Sequence, residues 1–190
     1  MKANSRWWRA LLAAAPLVFL APWPRALVES RMSLHMLVQF PLLLAAGWSA
    51  DAWLPGSRAQ SRVDEMGLAG AAWFSAVALF WMLPIALDLA LLDPLMDALK
   101  YASWWSAGLV LASSWPRLTA ELEVFFLGNT AWMLATAGLL YRETDSRLCV
   151  SYRYDEQGWT GAGLLLWALA LAALAVGAHS MRSFRCPTKN

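Results

Sequence analysis

Runs of apolar residues alternate with short polar stretches along the whole chain, and each run is continuous rather than alternating, so the period is that of a helix and not of a strand. A membrane span needs about 20 such residues. Six runs approach that length: Ala10 to Trp23, Ser33 to Ala50, Leu68 to Leu87, Tyr101 to Trp115, Leu122 to Tyr141 and Thr160 to Ala178. The connections are Asp51 to Glu65, Asp88 to Lys100, Pro116 to Glu121 and Arg142 to Gln157, followed by a tail from Arg182. None is long enough for a soluble domain. The pattern therefore predicts one integral membrane domain over residues 1–190: an all-α, polytopic bundle of about six transmembrane helices. The first run is short, contains Pro16 and follows Lys2, Arg6 and Arg9, so residues 1–24 read as an anchor or a signal-like segment.

Composition agrees with the pattern. The chain is 59% hydrophobic and 15% charged, where a soluble domain carries roughly 25% charge. Most of its 13 tryptophans, among them Trp23, Trp48, Trp53, Trp104, Trp105, Trp115 and Trp159, fall near the ends of apolar runs, the positions indole takes at a membrane surface. A net charge of +2 without a basic cluster excludes a nucleic-acid partner and leaves lipid as the first one. Lys and Arg are modestly more frequent in the segments that an inside amino terminus would place in the cytoplasm, which favours that orientation. His35 then opens the second span at the outer face. It shares that face with the connections carrying Asp88, Asp93, Met96 and Asp97, and Asp145, Cys149, Asp155 and Glu156.

Candidate chemistry is concentrated around one of only two histidines. Met32, His35, Met36 and Gln39 are spaced three, four and seven apart, which stacks them along one helix face. Imidazole and thioether at the mouth of a buried helix suit a soft metal, copper first. Packing is the competing role for each methionine, and a hydrogen bond to a loop or headgroup is the competing role for His35. Cys149 and Cys186 have no partner spacing. His35 and His179 fall at opposite faces, which excludes a bis-histidine haem, and no phosphate-binding, dinucleotide or hydrolase motif points to a nucleotide or to an enzyme. Glu121, Glu123 and Glu156 read as caps near helix N-termini, and Gly128, Gly138, Gly158, Gly161 and Gly163 as points of close helix approach.

Four collinear stretches carry a resemblance. Ser33 to Trp48, SLHMLVQFPLLLAAGW, resembles the His-Met-x-x-His stretch with following Pro and Gly of the CtaG-type cytochrome c oxidase assembly proteins. Trp81 to Ala90, WMLPIALDLA, resembles that family's Trp-His-x-Pro segment, and Met96 to Ser114 its next helix. Glu156 to Gly161, EQGWTG, with Trp167 resembles the entry to its last helix. The resemblance implies a multi-pass protein of the bacterial inner membrane that handles or inserts copper at the outer face, with a respiratory oxidase subunit as partner. Gln39 and Met82 stand where the family has histidine, and Asp97 and Tyr101 occupy its His-x-x-x-His pair. The donor set here is then Met32, His35, Met36, Met82 and Met96, suited to Cu(I), with Asp88 and Asp97 as oxygen donors. A scaffold or accessory subunit that has lost metal binding is the alternative the missing histidines imply.

Overall fold

The computed structural model describes residues 22–53, 66–144 and 154–185, together with Trp8, residues 11–14, Val18, Asp64 and Tyr152. Among the described residues every regular element is helical. We label them α1 (Pro22–Glu29), α2 (Met32–Ala50), α3 (Leu68–Trp81), α4 (Pro84–Leu92), α5 (Pro94–Ser114), α6 (Ala120–Glu143) and α7 (Tyr154–Arg185). Three of them, α2, α6 and residues Glu156–Ser180 of α7, are long and apolar enough to cross a membrane. The α3–α4 pair makes a fourth if a bent pair counts as one span. Half of the run from Ala10 to Trp23 lies outside the described residues, as do Cys149, Cys186 and Asp145.

Prolines set the breaks. The third apolar run does not continue as one helix to Leu87: α3 stops at Trp81, Leu83 is extended, and α4 starts on Pro84 at 77° to α3. Proline has no N–H to give and pushes the preceding residue out of the helical region. The same device separates α4 from α5, where Asp93 is extended before Pro94 and its Oδ1 accepts from the Leu95 amide at 2.9 Å as an N-cap. Consequently the stretch from Asp88 to Lys100, which reads as a polar connection, is mostly helical, and α5 begins at Pro94 rather than near Tyr101.

Two tightly packed groups result. In the first, α2 and α5 run parallel, and glycine lets their backbones touch: a Cβ on Gly47 would fall on the Trp105 carbonyl, and one on Gly108 on the Leu44 carbonyl. Helix α3 runs antiparallel to α5 and is joined to it by two indole donors, Trp73 to Ser106 at 3.1 Å and Trp81 to Ser103 at 2.8 Å. The second group is the α6–α7 hairpin. There a Cβ on Gly138 would lie 2.8 Å from the Gly161 carbonyl oxygen, and one on Gly161 2.6 Å from that of Gly138. Gly128 and Gly158, which also read as points of close approach, are exposed instead, and a Cβ on either would meet nothing within 4 Å.

Larger side chains join the groups. Phe126 of α6 meets Phe74 and Trp115 edge to face at 5.4 and 6.0 Å, and Ser33 of α2 donates to Glu156 of α7 at 2.8 Å. An apolar crevice of about 230 Å³ remains between them, walled in part by Met36, Phe40, Met82, Trp104, Phe126 and Met133. Trp104, which sequence position alone places at the membrane surface, is instead a core residue stacked on Phe40 at 4.8 Å.

Candidate functional site

At the end of the bundle where α2 and α5 begin, the polar residues of four segments meet. The chain segment that supplies the site is Met32–Gln39. Its last five residues, His35–Gln39, form a π-helical turn immediately before Phe40 and Pro41. Pro41 has no N–H to return to Leu37 and its ring crowds that carbonyl, so the widened turn sits where the ordinary ladder is interrupted. Met32, His35, Met36 and Gln39 are all buried, the shared face that their spacing predicts.

His35 has no exposed surface. Its Nδ1 is hydrogen-bonded to the Tyr152 hydroxyl, its ring lies edge-on to Phe40 at 5.2 Å, and its Nε2 has no hydrogen-bond partner. The tyrosine contact governs what Nε2 offers: if Nδ1 carries the proton and donates to Tyr152, Nε2 presents a lone pair, and in the other tautomer it presents a proton. Beside it, Gln39 Oε1 and Trp104 Nε1 are also buried without a hydrogen-bond partner. All three belong to residues that touch or adjoin Phe40, whose ring packs on both His35 and Trp104. Buried polar atoms are ordinarily satisfied, so three orphans around one ring mark a place of unused binding capacity.

Beside this group lies a neutral set of four charges. Lys100, fully buried, reaches Glu29 at 2.7 Å and Asp97 at 2.9 Å. Arg25 reaches Glu29 at 3.1 Å and Asp97 at 2.8 Å. Two charges come from α1 and two from the first turns of α5, so the set fastens α1 across the end of the bundle. It is wired to the histidine turn, because Gln39 donates to the Tyr101 hydroxyl at 2.8 Å and Tyr101 donates on to Glu29 at 3.5 Å. Burial acts to raise the Glu29 carboxyl, but the hydrogen bonds and charges of Lys100 and Arg25 outweigh it and hold the group below the usual glutamate range. Burying any of these charges alone would be costly; as a closed two-by-two set they compensate one another.

The sequence-predicted donors thus divide. Met32, His35 and Met36 lie together in the core, and Met82 and Met96 pack against the same core partly exposed. Asp97 is engaged by Lys100 and Arg25, and Asp88 lies half-buried on α4. Among the described residues no three His, Cys, Asp or Glu side chains gather as a metal-binding group. Sequence reading gives no site role to Arg25, Glu29, Lys100 or Tyr152, and places Tyr101 only at a resembled position. Two of the pairs had a local signal, Arg25 with Glu29 at a spacing of four and Asp97 with Lys100 at three, both helix-face spacings. His179 is exposed near the far end of α7, at the end of the bundle opposite His35. No protein-family model, curated protein or solved structure matches the chain.

Proposed function

We propose that this chain is a membrane-embedded assembly factor of the CtaG type, which takes Cu(I) as cargo at the His35 end of the bundle and passes it to a respiratory oxidase subunit. The observation that carries the reading is the Nε2 of His35, fully buried and without a partner, on a turn whose flanking residues are two buried methionines. One imidazole with thioether donors from Met32 and Met36 suits Cu(I), which is soft and needs no ligand deprotonated. Tyr152 would act on the metal through His35, as hydrogen-bonded partners of metal-bound imidazoles do. In this reading the amino terminus is cytoplasmic, the His35 end faces outward, and the chain crosses a bacterial inner membrane about six times. Helix α5 crosses as the inner member of the first group, its polar turns covered by protein rather than lipid. The site is covered by α1, so cargo reaches it when the charge set that fastens α1 lets go.

A second reading, an accessory or scaffold subunit without metal, is favoured by one observation: Asp97, an oxygen donor in the first reading, is occupied by two cationic side chains. Affinity isolation of the tagged full chain from membranes separates the two. An oxidase subunit that co-purifies only when copper is supplied supports copper handling; one that co-purifies equally with and without copper supports the scaffold; no oxidase subunit in either case rejects the oxidase assignment.

A further inference from the structure

Because α2 and α5 run parallel, both bring the partly negative C-terminal end of a helix to the same place, at the end of the bundle away from His35. Between these ends lies a pocket of about 240 Å³ lined by Trp48, Ser49, Asp51, Ala112, Trp115 and Pro116. Asp51 follows the last residue of α2, and its Oδ1 is shut off from solvent with no hydrogen-bond partner. Trp48 and Trp115 meet there with ring centres 5.6 Å apart and planes at 64°. Among the described residues that line the pocket, the helix C-termini bring partial negative charge, and the two indoles, one edge-on to the other, add an aromatic wall. Arg117, which follows the pocket's Pro116, donates through Nε to the Asp64 carbonyl and holds Nη2 3.5 Å from the Asp64 carboxylate. A carboxylate oxygen withdrawn from water into such a setting is costly unless a cation joins it.

We infer that this pocket binds an alkylammonium group, of the kind carried by ethanolamine or choline headgroups, with Asp51 as counter-ion and Trp48 and Trp115 as aromatic walls. Indole faces favour organic cations, whose spread charge and methylene surface they can cover. A hard metal ion would ask for several oxygen donors, and one carboxylate is present. The same group can arrive on a bilayer lipid or as a free amine.

The test uses the purified full chain. In detergent it is titrated calorimetrically with ethanolamine, choline and, as the uncharged control, glycerol. In discs of mixed phosphatidylethanolamine and phosphatidylglycerol, the lipid it retains is identified by native mass spectrometry. Saturable binding of the ammonium compounds but not glycerol is expected, and Asp51→Asn should weaken it about tenfold or more, the scale of a charge-assisted hydrogen bond. Trp48→Leu should weaken it by less, and it serves in place of Asp51→Asn if that variant fails to keep its helical circular dichroism. Binding of free amines with no headgroup preference in the discs assigns the site to a soluble amine; preferential retention of phosphatidylethanolamine assigns it to lipid. Absence of both in the unaltered chain, or binding that is unchanged in the folded variants, overturns the inference.

Discussion

At the start of α5, Asp97 and Lys100 meet Arg25 and Glu29 from α1, whereas at its end Ser114 and Arg117 hold Asp64 from the stretch leading into α3. Both are clusters of opposite charges and hydroxyls at the end of a bundle. At the second, Ser114 donates to Asp64 at 2.7 Å while accepting from the Gly70 amide at 3.2 Å, and Arg117 donates through Nε to the Asp64 carbonyl at 2.7 Å. Burial acts to raise the Asp64 carboxyl, yet the bonds from Ser114 and the Ala69 backbone, with Arg117, hold it below the usual range. Such a cluster pins a turn. The first cluster is neutral too, but it adjoins a π-helical turn where His35 Nε2 and Gln39 Oε1 remain unused. Arg117 Nη2 also makes no hydrogen bond, although it lies 3.5 Å from the Asp64 carboxylate; what sets the first end apart is an unpartnered imidazole nitrogen, a metal donor rather than a cation, and that nitrogen is what we assign to function.

Breaking the first cluster should have the largest effect. Lys100→Met leaves Glu29 and Asp97 with one cation between them, and the loss is expected to be about 3–5 kcal/mol, read as the unfolding midpoint in detergent. Adding Glu29→Gln to that variant should recover part of the loss, because Arg25 and Asp97 then balance. At the second cluster Ser114→Ala strands the Gly70 amide and leaves Asp64 Oδ2 to Arg117 alone, a cost of about 1–3 kcal/mol with Cu(I) affinity unchanged. Tyr152→Phe should cost only about 1 kcal/mol of stability, yet weaken Cu(I) binding by roughly 10- to 100-fold through the lost contact to His35. A copper affinity that follows Ser114→Ala rather than Tyr152→Phe would erase the distinction between the two ends.

The smallest effect near neutrality is that of pH. Glu29 and Asp64 are both held below their ordinary values in the folded chain, so each contributes its full stabilisation above the ordinary carboxylate range. That contribution falls as the pH drops through the folded values, where both states become protonated. Acid unfolding should therefore begin below the ordinary range, and Lys100→Met should move its onset to higher pH while Ser114→Ala moves only the part due to Asp64.

Helices α2, α6 and α7 were legible from the sequence because an uninterrupted apolar run of 19 to 25 residues permits little else. The bend at Pro84 was obscured by apolar residues on both sides, which hide the loss of an N–H that only a proline at that position imposes. Helix α5 was truncated for the opposite reason: Asp97 and Lys100 read as a loop, since their compensation depends on Arg25 and Glu29, some 70 residues away in the chain. The same distance explains why Asp97 read as a free oxygen donor. His35 itself was legible, because a lone imidazole between two methionines stands out locally. Its contact with Tyr152, 117 residues on, was not.

The central claim is that the unspent nitrogen of His35 is a metal donor rather than a packing residue. Titration of the purified full chain with Cu(I) against a competing chelator, with His35→Ala alongside, tests it most directly. The account predicts tight binding near one equivalent that weakens by more than about 100-fold in the variant, beyond the loss expected from an outer partner alone. Equal and weak affinity in the two proteins would contradict it and leave the bundle a scaffold.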